Sequence, residues 1–161
     1  MKSGPDDKYK LLATVKTSTM QKELDEASSQ GYRIVAGSPT SGSEMVLFLE
    51  KSVSSPGNYQ YRLLATSRTG TMEKELNETA NDGFRLLPKT LIAKPGALGG
   101  TEVVMLMERS PATIKKYHYK LLATSRTSTM QREVGEAQSD GYVLVGMFSR
   151  GEHMVIMEKE N

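Results

Sequence analysis

The segment Tyr9–Thr14 reads YKLLAT, and it recurs as YRLLAT at Tyr61–Thr66 and as YKLLAT at Tyr119–Thr124. After each copy come a Thr-x-Thr-Met segment, an acidic amphipathic stretch, a glycine-aromatic pair and an apolar run. Because self-similarity at a period of about 50 residues is typical of repeat proteins, the sequence predicts three equivalent units. We define repeat 1 as 9–52, repeat 2 as 61–110 and repeat 3 as 119–161, with a tail at 1–8 and linkers at 53–60 and 111–118.

Each repeat has the pattern of a strand, a helix and two further strands, which predicts an α+β fold of three tandem β-α-β-β units. In repeat 1 the apolar residues Met20, Leu24 and Ala27 are spaced i, i+4 and i+7, as on one face of a helix. We expect a capping box to start the helix at Ser18 in repeat 1 and at Ser128 in repeat 3. The glycine of each glycine-aromatic pair is expected to end the helix in a left-handed conformation.

The last apolar run of each repeat has consecutive apolar residues, namely Met45–Leu49, Val103–Met107 and Met154–Met157. Such runs indicate a central strand buried on both faces. A strand-helix-strand crossover favours parallel placement of its two strands, and the third strand can lie between them, antiparallel to both. We therefore expect antiparallel sheets of order 1-3-2.

The second face of each sheet also needs a cover, and the other two repeats are the nearest source. We therefore expect the sheets to pack about a pseudo-threefold axis with the helices outside. The alternative is three separate beads in a row, each of which would leave an apolar sheet face exposed.

Composition excludes several classes of function. The 161 residues carry a net charge of +2 and no cysteine, so there is no disulfide and no thiol nucleophile. The small charge argues against nucleic acid as the partner, and no apolar stretch is long enough to span a membrane. We expect a soluble protein, cytoplasmic or exported with its signal removed, with no cofactor and no metal. The partner is expected to be a protein or a small ligand, and the oligomeric state stays open.

The repeated pattern, from Tyr-x-Leu-Leu-Ala-Thr through the short acidic helix to the glycine-aromatic pair and apolar terminal strand, resembles a small bacterial domain of unknown function. That domain has about 50 residues, and its helix ends in Glu-x-Gly-Trp. Here Tyr32, Phe84 and Tyr142 replace the tryptophan. The resemblance implies the strand-helix-strand-strand topology and a habit of association, but no reaction. The strand order is also similar to that of dodecin-type flavin storage proteins, in architecture only.

Polar residues repeated in all three copies form the main candidate site. They lie between the first strand and the helix, where unpaired helix N–H groups and the positive end of the helix dipole favour anions. The nine candidate residues are Lys16, Thr17, Thr19, Arg68, Thr69, Thr71, Arg126, Thr127 and Thr129. The alternative is that the threonines serve the turn and the cations pair with nearby glutamates.

Other candidates occur only once. Neither His118 nor His153 is repeated, and we interpret both as structural or surface residues. The loop Pro88–Thr101 is longer than its counterpart in repeat 1 and is a candidate ligand or partner contact. In Lys115–Lys120, basic and aromatic residues alternate, which we interpret as a solvated strand edge.

These observations favour a non-catalytic binding or interaction module, because the copied residues belong to the scaffold and no catalytic set is present. One alternative is a small enzyme with a site at the loop 88–101 and an acid such as Glu102. Another is anion or nucleotide binding at the threonine-rich helix N-termini.

Overall fold

The structure is a computed structural model that describes residues 7–39, 44–52, 58–95, 101–112, 115–149 and 152–161. Within these residues the chain forms an α+β fold with three helices, α1 (Thr17–Ser29), α2 (Thr69–Asn81) and α3 (Thr127–Ser139). The strands are β1 (Tyr9–Thr14), β2 (Tyr32–Pro39), β3 (Met45–Lys51), β4 (Gln60–Thr66), β5 (Arg85–Leu86), β6 (Ile92–Pro95), β7 (Thr101–Arg109), β8 (Tyr117–Thr124), β9 (Val143–Ser149) and β10 (His153–Glu160). A 3₁₀ turn, Pro88–Thr90, lies between β5 and β6.

The strands form three small antiparallel sheets, one in each repeat. Their orders are β1-β3-β2, β4-β7-β5 and β8-β10-β9, and β6 also pairs with β7. These orders confirm the predicted order 1-3-2. The strand pairs are all antiparallel, as predicted. In each case the last strand of the repeat is central.

The helices begin two residues earlier than predicted. The cap residues are Lys16 and its counterparts Arg68 and Arg126, all extended, and none makes a side-chain cap hydrogen bond. The capping boxes expected at Ser18 and Ser128 are therefore wrong. Turn chemistry decides the start instead, because the Thr14 hydroxyl accepts a 3.2 Å hydrogen bond from the Lys16 N–H, and Thr66 and Thr124 do the same in the other repeats.

The helix ends agree with the prediction. Gly31, Gly83 and Gly141 have φ values of 89°, 91° and 95°, the left-handed region in which an L side chain is strained. The aromatic residue after each glycine is buried. The predicted apolar stripe of α1 is also buried, at Met20, Leu24 and Ala27.

Each sheet has a helix face, covered by the helix of its own repeat, and a back face. The helix face of repeat 1, with Leu47 and Leu49, shares one buried cluster with Val104 and Leu106 from the back face of repeat 2. The helix face of repeat 2 likewise shares a cluster with the back face of repeat 3, including Ile156. The helix face of each of these repeats thus packs on the back face of the next.

The back face of repeat 1 is exposed, unlike the back faces of repeats 2 and 3. Phe48, on the back face of repeat 1, is 45% exposed, whereas its counterpart Leu106 is 1% exposed. The expectation that every central strand is buried on both faces is therefore wrong for β3, because the described residues place no other repeat against its back face. The pseudo-threefold axis and the outside placement of all helices stay predictions.

The loop that makes repeat 2 longer lies between the other two repeats. A Cβ atom at Gly37 in β2 would lie 3.2 Å from Thr90 Cγ2, and one at Gly146 in β9 would lie 2.9 Å from Leu91 Cδ1. The lack of side chains at these two glycines lets the 3₁₀ segment approach both strands closely. Residues 96–100 of the predicted loop lie outside the described residues.

Candidate functional site

A buried carboxylate stands where repeats 1 and 2 meet. Glu108 on β7 accepts hydrogen bonds from Arg33 on β2, through Nε at 3.2 Å and Nη2 at 3.0 Å. It also accepts a 2.6 Å hydrogen bond from the Tyr61 hydroxyl on β4. That hydroxyl accepts a 2.9 Å bond from the Ile34 N–H. The charge of Glu108 is therefore balanced by an arginine of the other repeat.

The same arrangement stands between repeats 2 and 3. Glu158 on β10 accepts from Arg85 Nε and Nη2, at 3.3 and 3.0 Å, and from the Tyr119 hydroxyl at 2.7 Å. The Leu86 N–H donates to that hydroxyl at 2.9 Å. We call these two groups the Arg33 cluster and the Arg85 cluster.

The clusters perturb their ionisable members in a common direction. Burial, together with the adjacent Glu108 charge and hydrogen bond, raises the pKa of Tyr61 well above its ordinary value, and burial similarly raises the pKa of Tyr119. The hydrogen bond to Glu108 raises the pKa of Arg33, and Glu158 raises the pKa of Arg85. The arginines stay charged and the two phenols stay protonated.

Each guanidinium also stacks on an aromatic ring. Arg33 Cζ lies 4.1 Å from the centre of the Tyr59 ring, and Arg85 Cζ lies 4.7 Å from the centre of the Tyr117 ring. Stacking on one side and a bidentate carboxylate on one edge fix the plane of each guanidinium. The two cationic groups are therefore held in place before any ligand arrives.

Two cavities share both arginines. The first has a volume of about 340 Å³, and its wall includes Pro88 and Lys89 of repeat 2 and Val145 of repeat 3. The second has a volume of about 330 Å³, and its wall includes Tyr59, Lys115 and Tyr117. Arg33, Arg85 and Glu108 line both. The first cavity therefore receives side chains from all three repeats, and the second from repeats 1 and 2 and the two linkers.

Among the described residues, no third cluster of this kind joins repeat 3 to repeat 1. By repeat register its members would be Tyr9 and Glu50 of repeat 1 and Val143 of repeat 3. Val143 has no charge to offer, and it is exposed. Glu50 instead forms a 3.6 Å ion pair with Lys8, in which both side chains are exposed.

The structure places the predicted anion-binding residues at three helix N-termini, one in each repeat. Lys16, Arg68 and Arg126 are exposed and stand immediately before α1, α2 and α3. The threonines Thr17, Thr69 and Thr127 are the first residues of the helices. None of these residues lines the two arginine cavities. Anion binding at these corners stays a prediction.

The structure also shows the surroundings of Glu102 and of the two histidines. Glu102 forms a 3.6 Å ion pair with Lys94, which is buried and donates a 3.2 Å hydrogen bond to the Val15 carbonyl. Glu102 therefore balances a buried lysine. His118 Nδ1 lies 2.7 Å from the Tyr142 hydroxyl. The Nδ1 atom of His153 is buried without a hydrogen-bond partner among the described residues.

Metal-binding clusters and membrane-spanning helices are both absent from the described parts of the chain. Within the described parts of the chain, no three histidine, aspartate or glutamate residues lie close enough together to hold a metal ion. In the same parts, no helix has the length and apolar character needed to cross a membrane.

The members of the clusters were not among the residues predicted from sequence. A signal was present, because a glutamate near the end of an otherwise apolar strand occurs in every repeat, as Glu50, Glu108 and Glu158. An arginine follows the glycine-aromatic pair in repeats 1 and 2 only. These two patterns mark the residue types of the clusters, but they do not show that the arginine of one repeat pairs with the glutamate of the next.

Comparison with known proteins gives no family assignment. No protein-family model matches the sequence, no curated protein is significantly similar to it, and no solved structure matches it significantly. The resemblance to the small bacterial domain therefore stays an expectation.

Proposed function

We propose that this chain is a non-catalytic binding module for a small ligand that carries a carboxylate or phosphate group on an apolar body. The observation that carries the proposal is that Arg33 and Arg85 line the same two cavities while their described hydrogen bonds use only Nε and Nη2. Nη1 of each arginine is then left for the anionic group of a ligand.

The size and lining of the first cavity suit such a ligand. A volume of about 340 Å³ is at the lower end of the range for small-molecule sites. Ile34, Leu86, Leu87 and Val145 supply apolar wall next to the cationic groups. The apolar body of the ligand would pack against these side chains while its anionic group binds the two arginines.

The charges around the cavities favour an anion. Four cationic side chains line them, from Arg33, Arg85, Lys89 and Lys115, against two carboxylates. Those carboxylates already accept bonds from an arginine and a tyrosine each. Because stacking and ion pairing fix the guanidinium planes, little side-chain entropy would be lost on binding.

The chemistry of the clusters supports binding rather than catalysis. A tyrosine can act as a general base only where it is deprotonated near the working pH, whereas burial raises the pKa of Tyr61 and Tyr119. Each glutamate carboxylate is engaged by an arginine and a tyrosine of its cluster. Glu102, the acid named for the alternative enzyme, forms an ion pair with Lys94.

The cavity also gives the expected pseudo-threefold arrangement a role. Arg33, Arg85 and Val145 come from three different repeats and line one cavity. In a pseudo-threefold body with its helices outside, this cavity would lie close to the axis. Val143 then leaves the third sector without a cation, which makes the site asymmetric.

The test is a thermal-shift titration followed by calorimetry, with phenyl phosphate and benzoate as anionic probes and benzamide as the neutral control. We expect both anions to raise the Tm and benzamide to leave it unchanged, since a ligand that binds only the folded state stabilises it. The double variant Lys89→Ala/Lys115→Ala should lose most of the shift. Lys74→Ala, at an exposed lysine on α2, is the matched control.

The thermal-shift results distinguish binding in the arginine cavities from binding elsewhere. An equal shift in the wild type, in Lys89→Ala/Lys115→Ala and in Arg33→Lys/Arg85→Lys would place the anion elsewhere and contradict the proposal. The same holds if neither anion shifts the Tm at millimolar concentration. If the shift disappears with Lys16→Ala, Arg68→Ala or Arg126→Ala instead, the anion binds at the helix N-termini.

A further inference from the structure

The back face of repeat 1 is built like the faces that are buried inside the protein. We define the head face as Tyr9, Leu11, Val46, Phe48 and Glu50. Tyr9 is 51% exposed, whereas Tyr61 at the same position of repeat 2 is 5% exposed. The counterparts of Leu11 and Phe48 in repeat 3, Leu121 and Ile156, are buried against repeat 2. The head face thus has the composition of a buried surface, yet Tyr9, Leu11 and Phe48 are about half exposed.

The helix face of repeat 3 is the matching open surface. We define the tail groove as Met130, Val134, Leu144, Met147 and Val155, which line a groove of about 280 Å³ beside α3. Leu144 is 48% exposed, while its counterparts Ile34 and Leu86 are 8% and 2% exposed. Those counterparts are covered by the back face of the next repeat. The tail groove is therefore an exposed surface of the kind that is buried in repeats 1 and 2.

The polar groups that align such a contact are also present. At the contact of repeats 1 and 2, Gln21 on α1 donates to the Tyr61 carbonyl at 3.0 Å and accepts from the Leu63 N–H at 2.8 Å. Gln131 on α3 occupies the position of Gln21, is exposed and lines the tail groove. The backbone groups that it would bind are the Tyr9 carbonyl and the Leu11 N–H. Both lie on β1, an edge strand in the register of β4.

We propose that the head face of one copy of this chain docks into the tail groove of a second copy. Within the chain, the back faces of repeats 2 and 3 each pack on the helix face of the preceding repeat. The head face is the equivalent surface of repeat 1, so a second copy of the chain is the occupant that fits the tail groove. None of the head-face or groove side chains lines the arginine cavities, so this inference does not depend on the proposed ligand. Repetition of the contact gives a head-to-tail assembly.

The head-to-tail contact should be weaker than the contacts between repeats within one chain, because its charges are less well paired. Inside the chain, Glu108 and Glu158 are each neutralised by an arginine of the preceding repeat. At the head-to-tail contact Val143 takes the place of that arginine, and only Lys8 pairs with Glu50. Burying a carboxylate without a strong partner is unfavourable. The assembly is therefore reversible and dependent on concentration.

The experiment is sedimentation velocity on the full chain, at protein concentrations from about 1 to about 300 μM. We expect the weight-average mass to rise with concentration. Phe48→Asp removes the head face, Leu144→Asp removes the tail groove, and each variant alone should be monomeric. An equimolar mixture of the two should form a 1:1 dimer, because one retains the groove and the other retains the head face. Circular dichroism and Tm verify that both variants fold, which is expected since both residues are exposed.

A gain-of-function variant tests the charge argument. Val143→Arg restores the missing cation and should tighten association about tenfold, as one hydrogen-bonded ion pair contributes. The gain should vanish when Glu50→Gln is added. Self-association of Leu144→Asp alone would show a head-to-head contact, and a mixture that stays monomeric would exclude the head-to-tail contact. If the wild type and Val143→Arg both stay monomeric at all concentrations, the proposal is wrong. A higher Tm of Val143→Arg without association would instead show that head and tail close within one chain.

Discussion

The Tyr61 hydroxyl donates a 2.6 Å hydrogen bond to Glu108, and both residues belong to repeat 2. The same hydroxyl accepts from the Ile34 N–H of repeat 1, and Arg33 of repeat 1 completes the carboxylate's partners. The hydrogen bonding of this buried pair in repeat 2 is therefore completed by groups of repeat 1. This makes the contact between repeats specific as well as apolar.

Loss of the charge at Glu108 should destabilise the protein far more than the same change in repeat 1. In Glu108→Gln, Arg33 and Tyr61 lose their charged acceptor, which costs about 2–3 kcal/mol. Glu50→Gln is the matched control, since Glu50 and Lys8 are both exposed, and it should cost less than about 1 kcal/mol. Urea unfolding at neutral pH measures both. Equal costs would show that the Arg33 cluster contributes nothing beyond a surface ion pair.

Stability should fall at alkaline pH through Tyr61 and Tyr119. Burial raises the pKa of both phenols above the ordinary value of 10.0. The folded state then holds protons that the unfolded state releases, so the contribution is complete below about pH 10 and is lost as the pH rises further. Tyr61→Phe should lower the slope of unfolding free energy against pH by up to about 1.4 kcal/mol per unit above pH 10. Tyr9→Phe is the control, and urea titrations from pH 8 upward give the slopes; an unchanged slope in Tyr61→Phe would contradict the assignment.

The two faces of a repeat should respond differently to truncation. Leu106→Ala leaves a cavity between repeats 1 and 2 and should cost about 2–5 kcal/mol. Phe48→Ala, at the equivalent position of repeat 1, should change the stability of the monomer by less than about 1 kcal/mol. Urea unfolding at low protein concentration is the measurement, because association would stabilise the wild type. A large loss in Phe48→Ala under those conditions would mean that the head face is covered within one chain.

Two glycines of repeat 3 should give opposite effects when changed to alanine. Gly135 lies inside α3, and a Cβ atom there would meet no neighbouring atom within 4 Å, so Gly135→Ala should stabilise the protein by about 0.5–1 kcal/mol. Gly141 has a φ of 95°, so Gly141→Ala should destabilise it by about 1 kcal/mol. Thermal unfolding of the two variants beside the wild type measures both signs. Stabilisation by Gly141→Ala would contradict the helix end described here.

Local patterns in the sequence were sufficient for the three helices and for the strand order 1-3-2, but not for the 3₁₀ turn and the additional strand β6, which lie in the predicted loop 88–101. The spacing of Met20, Leu24 and Ala27 located the buried face of α1, and the glycine before each aromatic located the helix end. The helix starts were harder, because Ser18 fits a capping box as well as a place inside the first turn. Gln21, which that box requires, is bonded to β4 of the next repeat.

The candidate site depends on residues far apart in the sequence. Arg33 and Glu108 are 75 positions apart, and neither has a near neighbour that identifies it as one half of an ion pair. The lysines and tyrosines of Lys115–Lys120 gave no reason to expect Lys115 and Tyr117 in a cavity wall with Arg33. Their meeting depends on how one sheet packs on the next.

The amino-acid sequence alone determined three α+β repeats, antiparallel sheets and the position of each helix, because these follow from hydrogen bonding and side-chain periodicity within about 50 residues. Only the tertiary structure decided that neighbouring repeats stack helix face on back face, that Arg33 and Arg85 share two cavities, and that the outer faces stay uncovered. The physical reason is that three nearly identical repeats have nearly identical surfaces. Which of those surfaces is buried depends on whether another repeat is present to cover it.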